Sequence, residues 1–353
     1  MKSQLDIDGS RGEGGGAILR LSAGFSILFN HPIRIRNIRA NRPKPGLKLQ
    51  HLLGLRTLTE LTNSNLSSCN IGTRELEFFP NNEIKHIINV NVSTAASLGL
   101  LLQPIQIACL GLKGGKIEIN LGGGGTFGKY APSLNYLKEV TYKILLLTGL
   151  KIEIDIQKHG FYPKGGARVR CEIYPPDQKL KPINLTELGN IDLIQGEIII
   201  TNQLKRPRDN IADRIRKSIN RQIKRTVNIE TDIKYKWVDS ISPGVGLSLW
   251  AKSITGAIIS TGTILGEKHI TSEKLGIMAA DEITKYIIKD IPVDNYLSDQ
   301  LIPLMAYNKN TPSKIKVLNI TSHTKTNLEL IKLFTKREYK TYKEKDGFLI
   351  EYI

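Results

Sequence analysis

The order in which strand-like and helix-like periodicities follow one another is the strongest constraint in this sequence. Residues 4–8 alternate as a strand does, a glycine-rich turn follows, and Leu19, Ala23, Ile27 and Leu28 share one face of a helix over 17–29. Residues 32–39 alternate again, 46–61 carry helical periodicity, and 66–71 and 75–79 read as two short strands, which makes a β-α-β-α-β-β unit. The same order returns as strand 86–92, helix 95–110, strand 115–121, helix 131–148 and strands 150–157 and 167–174. A third copy takes its first strand from 182–186. It resumes with helices 273–289 and 295–306, strand 314–320, helix 324–335 and paired strands 337–343 and 347–353. Repeated units of this kind bury their apolar faces against one another.

The 353 residues exceed what one core usually holds, and the third copy is interrupted. Residues 186–272 contain strands at 192–201, 228–238, 245–252 and 256–263 and one helix at 211–226. The expected fold is therefore α/β (α+β). A large domain of three repeats occupies 1–185 and 273–353, and a smaller α/β domain is inserted over 186–272.

Fifty Lys and Arg against 33 Asp and Glu give a formal charge of +17, a field that favours polyanionic partners without locating a site. Cys69, Cys109 and Cys171 form no CxxC pair, and the histidines show no HxH or HExxH spacing, so neither a zinc site nor a disulfide framework is indicated. The apolar runs are too short to span a bilayer and the N-terminus has no signal core, which reads as a cytoplasmic protein with no membrane partner.

Four polar motifs sit at element ends. DGSRGEGGGAILR, residues 8–20, lets the backbone approach a ligand and aims helix amides at an anion. It lacks the GK[ST] of a Walker loop, and no acidic residue between Gly14 and Thr59 supports a dinucleotide fingerprint. Glu13 within it reads either as a metal carboxylate or as a helix-dipole carboxylate. IRANRPKPGLKLQHL, residues 38–52, sets Arg39, Arg42 and Lys44 ahead of a helix carrying Gln50 and His51, either to grip a phosphate or as a solvated basic loop. DNYLSDQLIPLMA, residues 294–306, places Tyr296 one turn before Asp299 and Gln300, suited to a purine and its ribose or to an ordinary amphipathic helix. TSHTKTN, residues 321–327, puts His323 near a helix start, where neutral imidazole can attack phosphorus or where the cluster merely caps the helix. The helix 211–226 carries Arg214, Arg216, Lys217, Arg221, Lys224 and Arg225, either for phosphates or as a solvated face.

Taken together with HGFYPKGGARV at 159–169, these motifs resemble, in order and over nearly the whole chain, the RNA 3′-terminal phosphate cyclase family. The resemblance implies three repeats similar to the C-terminal domain of translation initiation factor 3, plus the inserted domain. It implies that His323 takes AMP from ATP, releasing pyrophosphate, and passes it to an RNA 3′-phosphate, which the 2′-hydroxyl then closes into a 2′,3′-cyclic phosphate. By the same resemblance Gln103, Pro132, Tyr296, Leu297, Ser298, Asp299 and Gln300 form the ATP/AMP pocket. Arg20, Arg39, Arg42 and Gln50 hold phosphates and the RNA end, and Glu13 holds Mg²⁺ or Mn²⁺. RNA bearing a 3′-phosphate is the expected partner, and a homodimer is left open.

The chain departs from the family pattern at Ala17, where glutamine is common, at Ala167, where a third glycine is usual, and at Asn308 to Pro312, where a glycine-rich stretch is usual. A catalytically silent relative that acts in ribosome assembly shares the fold but lacks the histidine, and His323 argues against it. An enolpyruvyl transferase shares a repeated architecture at fold level only.

Overall fold

The computed structural model describes residues 3–12, 14–308 and 311–352. The first unit runs β1 (Leu5–Asp8), α1 (Gly16–Phe29), β2 (Ile33–Arg36), α2 (Leu49–Thr62), β3 (Asn65–Leu66) and β4 (Leu76–Phe79). The second runs β5 (Ile87–Ser97), α3 (Leu98–Cys109), β6 (Ile117–Gly125), α4 (Leu134–Tyr136), a π-helical stretch Leu137–Thr141, α5 (Tyr142–Thr148), β7 (Lys151–Lys158) and β8 (Arg168–Tyr174). After β9 (Asn184–Leu185) come β10 (Leu193–Thr201), α6 (Ile211–Thr226), β11 (Glu230–Val238), β12 (Val245–Lys252), β13 (Ile258–Ser260), β14 (Ile264–Leu265) and α7 (Ser272–Ile288). The chain ends with α8 (Asn295–Tyr307), β15 (Ser313–Val317), α9 (Ser322–Thr335), β16 (Tyr339–Glu344) and β17 (Gly347–Tyr352).

Three four-stranded sheets share one order and sense: β1-β2-β4-β3, β5-β6-β8-β7 and β9-β15-β17-β16. In each, the first pair is parallel and the other two pairs are antiparallel. Alternation fixes which face is inward: Ile33 and Ile35 are fully buried while Arg34 and Arg36 face solvent. The helices lie against these inner faces. α1 is apolar on nearly every side and is correspondingly buried between α2, α3 and α9. Gly24 allows the close approach of α3, since a Cβ there would lie 2.8 Å from the Pro104 carbonyl.

The inserted strands form a separate sheet, β11-β10-β12-β13, with β14 also on β12. α6 buries Ala212, Ile215, Ile219 and Ile223 and leaves its cations outward. Gly276 lets α7 seat on α6, since a Cβ there would lie 2.7 Å from the Ile215 carbonyl and 2.8 Å from Ser218 Cβ, so α7 finds its neighbours in the inserted unit. The opposite face of this sheet rests on the second unit. There Ser133 N donates to Thr263 Oγ1 (2.7 Å) and Asn135 Nδ2 to Glu197 (2.5 Å).

Several elements differ from the periodicity reading. The helix expected from residue 46 starts at Leu49, because Gly46 is left-handed (φ 82°) and Lys48 is the extended N-cap. The strand expected over 66–71 shrinks to Asn65–Leu66, since the chain turns at Asn70–Thr73, closed by Thr73 N donating to the Asn70 carbonyl (3.1 Å). β5 runs on to Ser97, and the helix expected over 131–148 starts at Leu134 and contains the π stretch. Residues 256–263 hold only β13, while β14 follows.

The HGFYPKGGARV segment joins the second unit to the inserted one. Phe161 stacks on Phe127 (5.3 Å, 7°), and both pack on Ile199 of β10. His159 is buried beside Thr126, its Nδ1 3.0 Å from Oγ1, and burial lowers its pKa to about 4. Ala167 fits although a glycine is usual there, because its backbone is not left-handed and its amide and carbonyl pair with Gly124 and Gly123. This packing holds the 124–132 loop. Replacing Phe161 by Ala is expected to cost about 3–5 kcal/mol of unfolding free energy; a loss below ~1 kcal/mol in urea denaturation would show that the stack does not hold the units together.

Candidate active site

Helix α9 begins where β15 has ended, and its first turn is fixed by side chains rather than by core packing. Thr321 is the N-cap, accepting from Thr324 N at 3.0 Å. The fully buried Thr324 hydroxyl lies 2.9 Å from Thr321 Oγ1 and 3.1 Å from Ser298 Oγ, and donates to Asp299 Oδ1 at 2.8 Å. Asn327 donates to the Asp299 carbonyl at 2.7 Å. Two helices are thereby laced together, with His323 exposed at the second position of α9 and Asp299 beside it on α8.

Both residues line a cavity of about 270 Å³ formed by α1, α3, the 130–132 loop, α8 and α9. It brings together Arg20, Gln103, Pro132, Tyr296, Asp299, Gln300 and His323. Arg20 Nε donates to Gln103 Oε1 (3.3 Å), and desolvation lowers the guanidinium to about 10, still a cation at neutral pH. Gln300 Oε1 accepts from the buried Gln106 (2.5 Å). Leu297 and Ser298 do not line the cavity. Leu297 is core, and Ser298 bonds the Asn295 carbonyl (3.0 Å) and Thr324.

The glycine run lies next to this cavity. α1 has Gly15 as N-cap with no side-chain cap, leaving its amides oriented toward any anion placed there. Gly14 is left-handed (φ 54°) and so close to the Asn41 amide that no Cβ would fit. The Arg42 guanidinium lies against Gly15, where a Cβ would meet Nη2 at 2.8 Å, and the His51 ring lies against Gly16. Arg39 is differently disposed: it is 6% exposed and its Nη1 donates to the Lys44 and Gly46 carbonyls (2.7 and 2.8 Å), so it folds the loop that presents Arg42. Gln50 Nε2 lies 3.5 Å from His51 Nε2. Burial, with Arg20, Arg39 and Lys48 nearby, lowers His51 to about 3; it stays neutral, with Nδ1 accepting from Lys48 N (3.2 Å). Glu13 lies outside the described residues.

Tyr296 is 45% exposed at the cavity mouth, yet its ring is supported from behind. Tyr136 meets it edge-on (6.2 Å, 71°), and Gly262 (φ 67°) leaves room for it, since a Cβ would come within 2.5 Å. Asp294, fully buried, caps α8 by accepting from Tyr296 N and Leu297 N (both 2.9 Å) and from Tyr136 OH (3.0 Å). Desolvation outweighs these bonds and raises its pKa to about 7.

Some lining residues carry no sequence signal. Tyr130, 93% exposed with φ 59°, lines the cavity with Tyr296, and its placement depends on a loop conformation that periodicity does not encode. Asn327 lies within the 321–327 motif, where its residue type signals no more than membership of a polar cluster. Its side-chain oxygen is buried without a hydrogen-bond partner at the cavity wall. Ala17 also lines the cavity, so the departure there removes a polar group from the wall. Asn308 donates to the Leu180 carbonyl (2.8 Å) and accepts from Thr311 (3.2 Å), while residues 309 and 310 lie outside the described set.

Among the described residues no group of three or more His, Cys, Asp or Glu comes together, and Asp299 is the one carboxylate lining this cavity. Asp299 is thus the described side chain here that could lend a carboxylate to a divalent ion whose other ligands were phosphate oxygens and water. Among them, too, no helix is long and apolar enough to cross a membrane.

The fold and site define an α/β protein with an exposed imidazole at a helix N-terminus inside a small-ligand cavity beside a cationic glycine loop. The family model of RNA 3′-terminal phosphate cyclase matches residues 11–341. The RNA 3′-terminal phosphate cyclase of Thermococcus kodakarensis is 37% identical over 331 residues, 94% of this chain and 92% of the relative. That of Methanothermobacter thermautotrophicus is 35% identical, covering 97% of each chain, and that of Caldivirga maquilingensis is 32% identical, covering 96% and 94%. The chain belongs to the RNA 3′-terminal phosphate cyclase family, whose members are ligase-type enzymes.

The charge state of Asp294 gives this site a pH signature. In the folded protein the carboxyl holds its proton more tightly than in the unfolded chain, where its value is 3.8, so its contribution is full below about 4 and is lost as pH rises through about 7. Asp294→Asn keeps an acceptor at the cap. Between those pH values its stability in urea titrations is expected to decline less with rising pH than that of the wild type; parallel curves would contradict a raised carboxyl.

Proposed function

We propose that this chain uses ATP to convert an RNA 3′-terminal phosphate into a 2′,3′-cyclic phosphate through a covalent His323–AMP intermediate. The observation that carries this reading is the convergence of His323, Arg20, Asp299, Gln300, Tyr296 and Pro132 on one cavity. At about 270 Å³ it is near the lower bound of small-ligand sites, roughly 300–1,000 Å³, which suits the nucleoside and one phosphate. The two remaining phosphates would extend toward the start of α1. Tyr296 offers the purine an aromatic surface, the Asp299 carboxylate offers an acceptor to the ribose, and Gln300, whose oxygen already accepts from Gln106, offers its amide donors to the base.

In the first step an imidazole nitrogen of His323 supplies the electron pair for a P–N bond to the α-phosphorus, and the P–O bond to pyrophosphate breaks. Arg20 and the α1 and α9 helix termini stabilise the developing charge. A phosphate oxygen of the RNA end, held by Arg42 with Gln50 nearby, then attacks the same phosphorus and frees His323. Finally the adjacent 2′-hydroxyl oxygen bonds the terminal phosphorus, its proton leaves, and AMP departs. Adenylylation turns a poor leaving group into a good one, and the vicinal hydroxyl already sits within reach. When present, a divalent ion accompanying ATP would neutralise phosphate charge, with Asp299 the described carboxylate nearest to hand.

RNA labelled at its 3′-phosphate should become phosphatase-resistant on incubation with the protein and ATP. His323→Ala should lower the rate by a factor on the order of 10⁴ or more. Unchanged turnover in the variant would reassign the nucleophile, and no turnover by wild type would favour the silent assembly-factor reading.

A further inference from the structure

The inserted unit carries a second basic surface, away from the helix whose sequence drew attention to it. On α6, Arg214 is clamped by Asp209 (2.9 Å) and Glu273 (2.8 Å), and Arg216 and Lys217 both pair with Asp213 (2.5 and 2.8 Å). Half of that helix's expected phosphate contacts are therefore already engaged within the protein. The loop before α6 differs. Lys205, Arg206 and Arg208 are exposed, and no carboxylate pairs with them among the described residues. With Asn210 and the half-buried Trp237 they line a groove of about 430 Å³. Asp209, the one acid there, is turned to Arg214. Trp237 lies near the end of the edge strand β11, and the Lys205 ammonium sits 5.5 Å from its ring centre.

Cations free of carboxylate partners around a half-buried indole are a combination that holds single-stranded nucleic acid: phosphates take the cations and a base takes the ring. Hydrogen bonds also tie the segments next to the groove to the loop beside the cavity. Asn202 and Gln203 bind Asp239 and the Ser240 carbonyl (2.6 and 2.5 Å), Ser242 accepts from Lys164 N (3.1 Å), and Ala167 N donates to the Gly124 carbonyl (3.3 Å). Gly124 begins the loop that ends at Tyr130 and Pro132. We propose that the Lys205–Asn210 loop and Trp237 form a docking groove for single-stranded RNA, taking nucleotides 5′ of the end that enters the cavity. Lys205, held only by the aromatic face, moves to a phosphate and leaves the indole to a base. The identity of the strand as substrate rests on the cyclase reading; the groove's affinity for RNA does not.

The test measures binding without ATP, using a fluorescein-labelled, unstructured RNA of about 12 nucleotides, within the span such grooves cover. Lys205→Glu with Arg206→Glu and Arg208→Glu should weaken affinity at low salt by roughly 100-fold and make the log–log salt slope shallower by about 2, at ~0.7 per phosphate contact. Trp237→Ala should weaken it by about 5- to 100-fold, the range of one stacked base. The chain has two tryptophans, so in a Trp250→Phe background RNA should quench the Trp237 emission. If charge variants that melt at the wild-type temperature bind RNA with unchanged affinity and slope, or if wild type binds no RNA, the groove is not an RNA site. A wild type that binds RNA through the groove yet transfers no AMP would overturn the cyclase mechanism and leave this proposal standing.

Discussion

The site depends first on one buried hydroxyl. Thr324 ties Thr321, Ser298 and Asp299 together inside the first turn of α9, and through them it sets the spacing of α8 against α9. Thr324 and Ser298 are fully buried and Thr321 and Asp299 partly so, and a buried hydroxyl left unpaired would bear its desolvation alone. The cost of ordering it is offset by placing an exposed imidazole and a carboxylate on the same cavity from two elements that the sheets alone do not align. Remote packing serves the same end, since the Phe127–Phe161 stack holds the loop bearing Pro132 and Tyr130.

Electrostatics around the cavity are arranged by burial more than by pairing. Arg20 loses some proton affinity yet stays charged, and His51 is kept neutral among three cations. Arg42 is presented at the glycine run because Arg39 has folded its own guanidinium onto two carbonyls. On the proposed reading a basic loop of this kind would offer one arginine to phosphate while another shapes the loop, a division invisible in net charge.

Much of this was legible in the residues themselves. Periodicity located most strands and helices, since each sheet buries one face, and the 294–306 and 321–327 motifs announced the polar residues that meet at the cavity. Periodicity reports that a face is buried but not what buries it. Helix α7 therefore reads as part of the third repeat although Gly276 seats it on α6, and periodicity leaves α6 open between a phosphate surface and a solvated face, while Asp209, Asp213 and Glu273 hold three of its cations. Tyr130 escaped notice because a left-handed tyrosine in a glycine-rich loop has no pattern, and Gln106 because a buried glutamine announces itself only through its partner, Gln300.

On the proposed mechanism His323, set by this hydrogen-bond network, is the nucleophile that takes AMP from ATP. Incubation with α-phosphate-labelled ATP and a divalent ion, in the absence of RNA, followed by peptide mapping of the denatured protein, tests it most directly. The account predicts an acid-labile, alkali-stable AMP adduct on the peptide containing residues 321–327, absent from His323→Ala. An adduct that persists in the variant, or one that maps to a lysine elsewhere, would contradict it.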